Sequence, residues 1–158
     1  AVKLAPLADT VASGIEPVRA HASLRGVRLA TEPPEGEPVE LPHDPRWLAE
    51  AVHNLVKNAV EHSPSGSEVT VKWERTPVFV RLLVMDRGSG IDERHLPHIF
   101  KKFYRSGSGG SGVGLGLPLA KSIVERHGGL VSASPRDGGG TTFTVTLPHH
   151  SLLSLTKL

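Results

Sequence analysis

Asp86-Arg87-Gly88-Ser89-Gly90-Ile91, then Ile99-Phe100-Lys101-Lys102-Phe103-Tyr104-Arg105, then the Gly-rich run from Ser106 to Gly116 decide how this chain is read. An apolar stretch, Val80 to Met85, leads into Asp86, and a helix-like segment, Leu117 to His127, follows Gly116. The order is strand, acidic glycine turn, aromatic-basic patch, Gly-rich loop, helix. Glycines let a backbone come close to a ligand, and the free N–H groups of a helix start attract anions. The pattern predicts a polyphosphate site. Gly107, Gly109 and Gly112 satisfy the dinucleotide spacing G-x-G-x-x-G, but no strand feeds directly into them and no acidic residue follows about 20 positions on. Residues 106–111 taken alone also read as a flexible linker. Gly112, Gly114 and Gly116 do not, because they alternate with apolar residues and open a helix.

Working outward, 158 residues with 38% apolar content predict one globular domain with a real core. The absence of cysteine excludes disulfides and thiolate metal sites. No apolar run approaches the roughly 18 residues of a membrane span, and no signal peptide is visible, so the expectation is a soluble chain. A net charge of +2, with no basic stripe interleaved by aromatics, argues against nucleic acid.

Leu4, Leu7, Val11, Ile15, Val18 and Ala22 recur at helical spacing and predict a helix over 4–25, broken near Pro17 and ended by Gly26. Short strands are predicted at 27–31 and 39–41. Asp44-Pro45 is a strong helix start, with Asp at the N-cap and Pro at the first position. That helix runs to about His62 and presents Asn54, Asn58 and Glu61 on one face beside its apolar side. Asn is a poor helix former, so two amides one turn apart invite explanation. They are either exposed or bonded to a neighbouring loop, or their oxygens help to hold a hard cation and phosphates; Mg²⁺ takes oxygen ligands. Strands at 68–74, 78–85, 130–134 and 142–147 complete an α+β pattern. Pro148 closes a domain over residues 1–148, leaving a mildly apolar tail at 149–158.

Taken together, these segments resemble the catalytic ATP-binding domain of two-component sensor histidine kinases, relatives of gyrase, Hsp90 and MutL. His53-Asn54-Leu55-Val56-Lys57-Asn58-Ala59 resembles the family's N box, and Asp86 to Ile91 its first glycine box. Ile99 to Arg105 resembles the F box, Gly112-Val113-Gly114-Leu115-Gly116-Leu117 the second glycine box, and Gly138 to Phe143 the last. The resemblance implies a two-layer α/β sandwich, the Bergerat-type fold: a mixed, mainly antiparallel sheet of about five strands covered on one face by three helices. It implies ATP and Mg²⁺ as the bound species. Asn58 would coordinate Mg²⁺ and Asn54 support the phosphates. Asp86 would accept from the adenine amino group, with Gly88, Gly90 and Ile91 shaping the pocket and Thr141 near the base. Gly112, Val113, Gly114, Leu115, Gly116 and Leu117 would face the phosphates. Lys102, Tyr104 and Arg105 of the F box would complete the site, with Arg105 and Lys102 reaching the γ-phosphate.

The sequence departs from the family in two places. The lid between Arg105 and Gly112 is short and almost all Gly and Ser, and Glu61 stands where a phosphate-contacting Lys is usual. Within the superfamily, the ATPases place a Glu base four residues before the metal-binding Asn. This chain has Asn54 there, which cannot take a proton. Neutral imidazole is already a nucleophile, so a histidine kinase needs positioning and charge stabilisation more than a base. The family's phosphoacceptor is a His followed by an acidic residue and, shortly after, a Pro, and none of the nine histidines has that context: His43-Asp44 begins the pattern, but Pro45 comes too soon and opens the N-box helix. The resemblance therefore implies two partners: a separate helical dimerisation and phosphoacceptor domain of the same kinase, and the receiver domain of a response regulator. It implies a cytoplasmic location, as the cytosolic part of a membrane-bound sensor, with no direct membrane contact from this chain. A docking module of the same fold without kinase activity, or a related ATPase, is the alternative.

Overall fold

The computed structural model describes residues 1–104 and 115–149. Strand β1 (Lys3–Pro6) opens the chain, followed by helix α1 (Leu7–Ile15), a 3₁₀ turn at Glu16–Val18 and helix α2 (Arg19–Arg25). Then come β2 (Arg28–Glu32), β3 (Glu40–His43), α3 (Pro45–Glu61), β4 (Glu68–Arg75), β5 (Phe79–Met85), α4 (Gly116–Arg126), β6 (Leu130–Pro135) and β7 (Thr141–Pro148). The main sheet has the order β2-β4-β5-β7-β6. Its β2–β4 pair is parallel and the other pairs are antiparallel, so it is the mixed five-stranded sheet expected.

The first predicted helix begins later than its apolar spacing suggests. Leu4 belongs to β1, which pairs antiparallel with β3 in a separate two-stranded sheet. Leu4 is an exposed strand residue that happens to fall in phase with the buried helix positions Leu7, Val11 and Ile15. Periodicity cannot separate such a neighbour from the stripe. The break at Pro17 is where expected: the residue lies in the 3₁₀ turn between α1 and α2. Gly26 then caps α2 with φ +72°, a left-handed conformation that favours glycine.

Helix α3 is the spine of the molecule. Asp44 caps it, its side chain accepting from the N–H groups of Arg46 and Trp47 at 3.2 Å. Its apolar side, Leu48, Ala51, Val52, Leu55, Val56, Ala59 and Val60, is fully buried. Against it lie alternate residues of the sheet: Val69, Val71 and Trp73 of β4, Val80, Leu82 and Val84 of β5, and Phe143, Val145 and Leu147 of β7. That alternation gives the strands one covered face, as antiparallel pleating requires. Helix α1 packs along the same helix so closely that a Cβ at Gly14 would sit 2.7 Å from the Ala49 carbonyl.

Two buried histidines fasten the helical layer. His43 is fully buried; its Nδ1–H donates to the Leu41 carbonyl at 2.8 Å, so Nε2 accepts from the Thr10 hydroxyl at 2.7 Å. His127 Nδ1–H donates to the Ile123 carbonyl at 2.8 Å, and its Nε2 accepts from the Asp44 N–H at 3.1 Å. Burial pushes the His43 imidazole below its ordinary 6.5, and neighbouring His127 adds to this, against a bond to Leu41 and the charge of Asp44. The unfolded chain therefore takes up a proton that the folded one resists. The stabilisation is complete above about pH 6.5 and is lost as pH falls below it. Scanning calorimetry between about pH 7.5 and about pH 5 is expected to show a falling Tm, with a flatter profile in His43→Gln. An equal slope in both proteins would remove His43 from this role.

Candidate functional site

The site is assembled from three places, two of them joined by α3 and the third packed on β7. The first is the Asp86 turn. Strand β5 ends at Met85, paired with Thr142 of β7, so the next rung of the ladder sets Asp86 beside Thr141. The Asp86 N–H donates to the Thr141 carbonyl at 3.0 Å. The carboxylate Oδ1 accepts from the Thr141 N–H at 3.2 Å and from the Gly88 N–H at 2.9 Å. Asp86 is only 3% exposed, and its burial raises the carboxyl pKa; the two N–H bonds, and then the nearby His62 and Arg136, act in the opposite direction. A buried carboxylate held on backbone donors is a rigid acceptor for a ligand N–H.

Glycine is required around it. A Cβ on Gly88 would lie 2.2 Å from the His62 carbonyl at the end of α3. A Cβ on Gly140 would lie 2.0 Å from the Asp86 carbonyl, and Gly140 has φ +108°. Gly90 turns the chain with φ +81°. Ile91 then packs, half-buried, on the core.

The second place is the amide face of α3 and the start of α4. Asn54 Nδ2 donates to the Glu50 carbonyl one turn back at 2.9 Å. This turns Oδ1 towards Gly116, where an added Cβ would sit 3.0 Å away. The amide therefore meets the first turn of α4, which Ala120, Ile123 and Val124 hold in the core. Leu115 is exposed and Leu117 half-buried beside it. Asn58, half-buried, stands one turn further along α3. Eight residues of helix, about 12 Å, separate Asn54 from His62 beside Gly88. That spacing is on the scale of an extended nucleoside triphosphate.

The third place is the F box. Ile99 is buried, and the Phe100 ring meets Phe143 edge-on at 6.1 Å. The Tyr104 hydroxyl is hydrogen-bonded to His95 Nδ1, with the His98 ring 5.6 Å away. Lys102 and Phe103 point outward, and Phe103 carries φ +65°, an uncommon conformation for an aromatic residue. Arg105, Gly112, Val113 and Gly114 lie outside the described residues, as do the short Gly/Ser lid and residues 150–158 of the tail. Glu61 is half-buried, and its main-chain carbonyl accepts from Arg25 Nη2 at 2.9 Å.

Two arginines to which the motifs assign no role also belong here, Arg87 inside the first glycine box and Arg136 outside any. Arg87 and Arg136 bond the backbone of the Asp86 turn and the 137–139 turn together. Arginine at a turn is common, and spacing does not show which carbonyls it will meet; the β5–β7 register does.

The donor set suits a nucleotide. It has a buried acceptor for a base amino group, a glycine turn packed against it, and amide oxygens beside an open helix start. A scan of family models matches residues 43–151 to the histidine kinase-, DNA gyrase B- and HSP90-like ATPase family. The sensor histidine kinase CusS of Escherichia coli (strain K12) is 35% identical over 150 residues, covering 92% of this chain and 30% of that protein. The structure of the mycobacterial sensor histidine kinase MprB superposes with a TM-score of 0.84 at 27% identity, over 96% of this chain and 99% of that one. The nucleotide-free catalytic domain of histidine kinase ThkA shares the fold, with a TM-score of 0.83 at 22% identity over 95% and 99% of the two chains. The chain spans 30% or less of the length of the sensor proteins CusS, YvrG and DivL. With its mixed sheet, amide-bearing helix and buried Asp86, the chain belongs to the histidine kinase, gyrase and HSP90-like ATPase family, as an ATP-binding catalytic domain of the histidine kinase type.

Proposed function

We propose that this domain transfers the γ-phosphoryl group of ATP to a histidine on a separate helical domain of a longer sensor protein. The observation that carries the reading is Asn54 of α3, facing the start of α4 at the position where a hydrolytic relative would need a base. Its Nδ2 is committed to the Glu50 carbonyl, and its Oδ1 faces Gly116. An amide there can orient phosphates but cannot deprotonate water.

Each residue then has a task. Asp86 accepts from the adenine amino group, Thr141 and Gly88 hold its carboxylate in place, and Gly90 and Ile91 wall the base. Asn54, Gly116 and Leu117 border the phosphates; by the family resemblance, Gly112, Val113, Gly114, Leu115, Lys102, Tyr104 and Arg105 are assigned to the phosphates as well. Asn58 is the residue that would hold Mg²⁺, through its amide oxygen, and a metal held there would supply neutralisation of the phosphate charge. In the transfer the bond from γ-phosphorus to its bridging oxygen breaks, a bond to an imidazole nitrogen forms, and ADP leaves. The domain contributes alignment and electrostatics. The phosphoryl group would pass on to a response regulator receiver domain. Among the described residues no helix is long and apolar enough to cross a membrane, and the proposed setting is the cytosolic part of the sensor.

The test mixes this chain with the helical phosphoacceptor domain of its own protein and γ-labelled ATP. The expected product is acid-labile, base-stable label on the helical domain, with negligible label on this chain. Alone, the chain should bind ATP and hydrolyse it very slowly. Brisk turnover without a partner would move it to the ATPase branch, and ATP binding with no transfer would leave a docking module.

A further inference from the structure

The base pocket has a second layer. Arg136 follows the last residue of β6, and its Nη1 donates to the Asp86 main-chain carbonyl at 3.2 Å. Its own N–H donates to the Gly140 carbonyl at 3.0 Å, and its carbonyl accepts from the Gly139 N–H at 3.0 Å. From the other side, Arg87 Nη1 donates to the carbonyls of Asp137 and Gly139. The two guanidinium groups thus stitch the turn carrying Asp86 to the turn that precedes Thr141. Gly138 makes room for this: a Cβ there would stand 3.1 Å from Arg87 Nη1.

Two like charges side by side are unfavourable, and Arg136 is also partly buried; burial first, then Arg87, lowers its pKa. An ordinary surface loop gains nothing from that arrangement. What offsets it is the buried Asp86 carboxylate, with Glu32 of β2 and Glu68 of β4 contributing more weakly. On the α3 side, His62 is the titratable group facing Asp86.

We infer that Arg136 is a positioning residue of the adenine pocket, fixing the main chain of Asp86 so that its carboxylate stays aimed at the base, with Arg87 locking the adjoining turn. The inference rests on Asp86 being the adenine acceptor. Arg136 has two effects on it. Its hydrogen bond fixes the carbonyl, and with it the peptide that carries the side chain. Its charge favours the ionised carboxylate, against the burial that disfavours it.

Calorimetric titration of adenosine and of ATP, each against pH, tests this in four proteins: the parent, Arg136→Gln, Arg136→Lys and Asp86→Asn. Arg136→Gln is expected to weaken adenosine and ATP by a common factor, roughly threefold to tenfold. The acid limb of adenosine binding should move up by about half a pH unit, a modest shift because the guanidinium is partly solvated. Arg136→Lys keeps the charge, so its limb should stay with the parent while its adenosine affinity falls by about twofold to threefold. A lowered Tm with unmoved affinity and limb would reduce Arg136 to a structural residue and overturn the inference. Weakening of ATP alone would overturn it too, because the effect would then lie at the phosphates. If Arg136→Gln does not fold, parental adenosine affinity in Arg136→Lys is the overturning result. Parental adenosine affinity in Asp86→Asn would instead remove the pocket reading itself. Loss there, with Arg136→Gln unchanged, would remove only the positioning role.

Discussion

Asn58→Ala is expected to abolish phosphoryl transfer, by at least about a hundredfold, while leaving adenosine binding nearly unchanged. The reasoning begins with placement. Asn58 stands one helical turn beyond Asn54 on the same side of α3, between the Gly116 end and the Asp86 end of the site. Its neighbours Leu55 and Ala59 are fully buried, so the backbone at 58 is fixed by the core and loss of the amide should not move it. The alanine variant loses one oxygen donor and little else. If that oxygen is the protein's contribution to Mg²⁺, the variant loses the advantage that Mg²⁺ gives to ATP binding and leaves transition-state charge less neutralised. Adenosine needs neither. Three titrations (adenosine, ATP with Mg²⁺, ATP with chelator) and one transfer assay separate the effects. Transfer at the parental rate would make Asn58 a structural residue only.

Asp86→Asn is expected to weaken ATP binding by roughly tenfold or more, because a hydrogen bond to a charged acceptor contributes about 1.5–3 kcal/mol. The same substitution should not unfold the domain, and its effect on stability has a definite sign. Burial raises the Asp86 carboxyl pKa above its ordinary 3.8. A raised carboxyl pKa favours the folded state when the group is protonated. That advantage is present at low pH and is lost as pH rises through the folded-state value. At neutral pH the ionised carboxylate is thus a cost to the empty domain. The asparagine variant, whose Oδ1 can still accept from Gly88 and Thr141, should match or exceed the parental Tm at pH 7 while binding ATP poorly. Equal ATP affinity in the two proteins would remove Asp86 from the base pocket. A collapse in Tm would mean that the charge itself supports the fold.

Local chemistry made much of this protein readable in advance. Asp44-Pro45 marks the start of α3, because an N-cap carboxylate and a proline at the first position each act within one turn. The period-two pattern in Val69, Val71 and Trp73 places β4, and Pro17 places the break between α1 and α2. Motif spacing picks out Asp86 and Asn54, and the structure gives each a specific neighbour: Thr141 for the one, Gly116 for the other.

What sequence could not supply depends on pairs distant along the chain. β1 escaped because its four residues pair with β3 about forty positions away, and its Leu4 is in phase with the following helix. The neutral, tautomer-fixed state of His43 comes from Thr10 and Leu41, partners that no spacing rule links to it. Arg136 reads as a turn residue until the β5–β7 register brings its loop against Asp86, fifty positions earlier. Sequence by itself determined the local elements and the chemical types at the site, because capping, periodicity and glycine permissiveness operate over a few residues. The tertiary structure alone decided which backbone groups meet the buried carboxylate and the histidines, because hydrogen bonds between distant segments are set by strand register and helix packing.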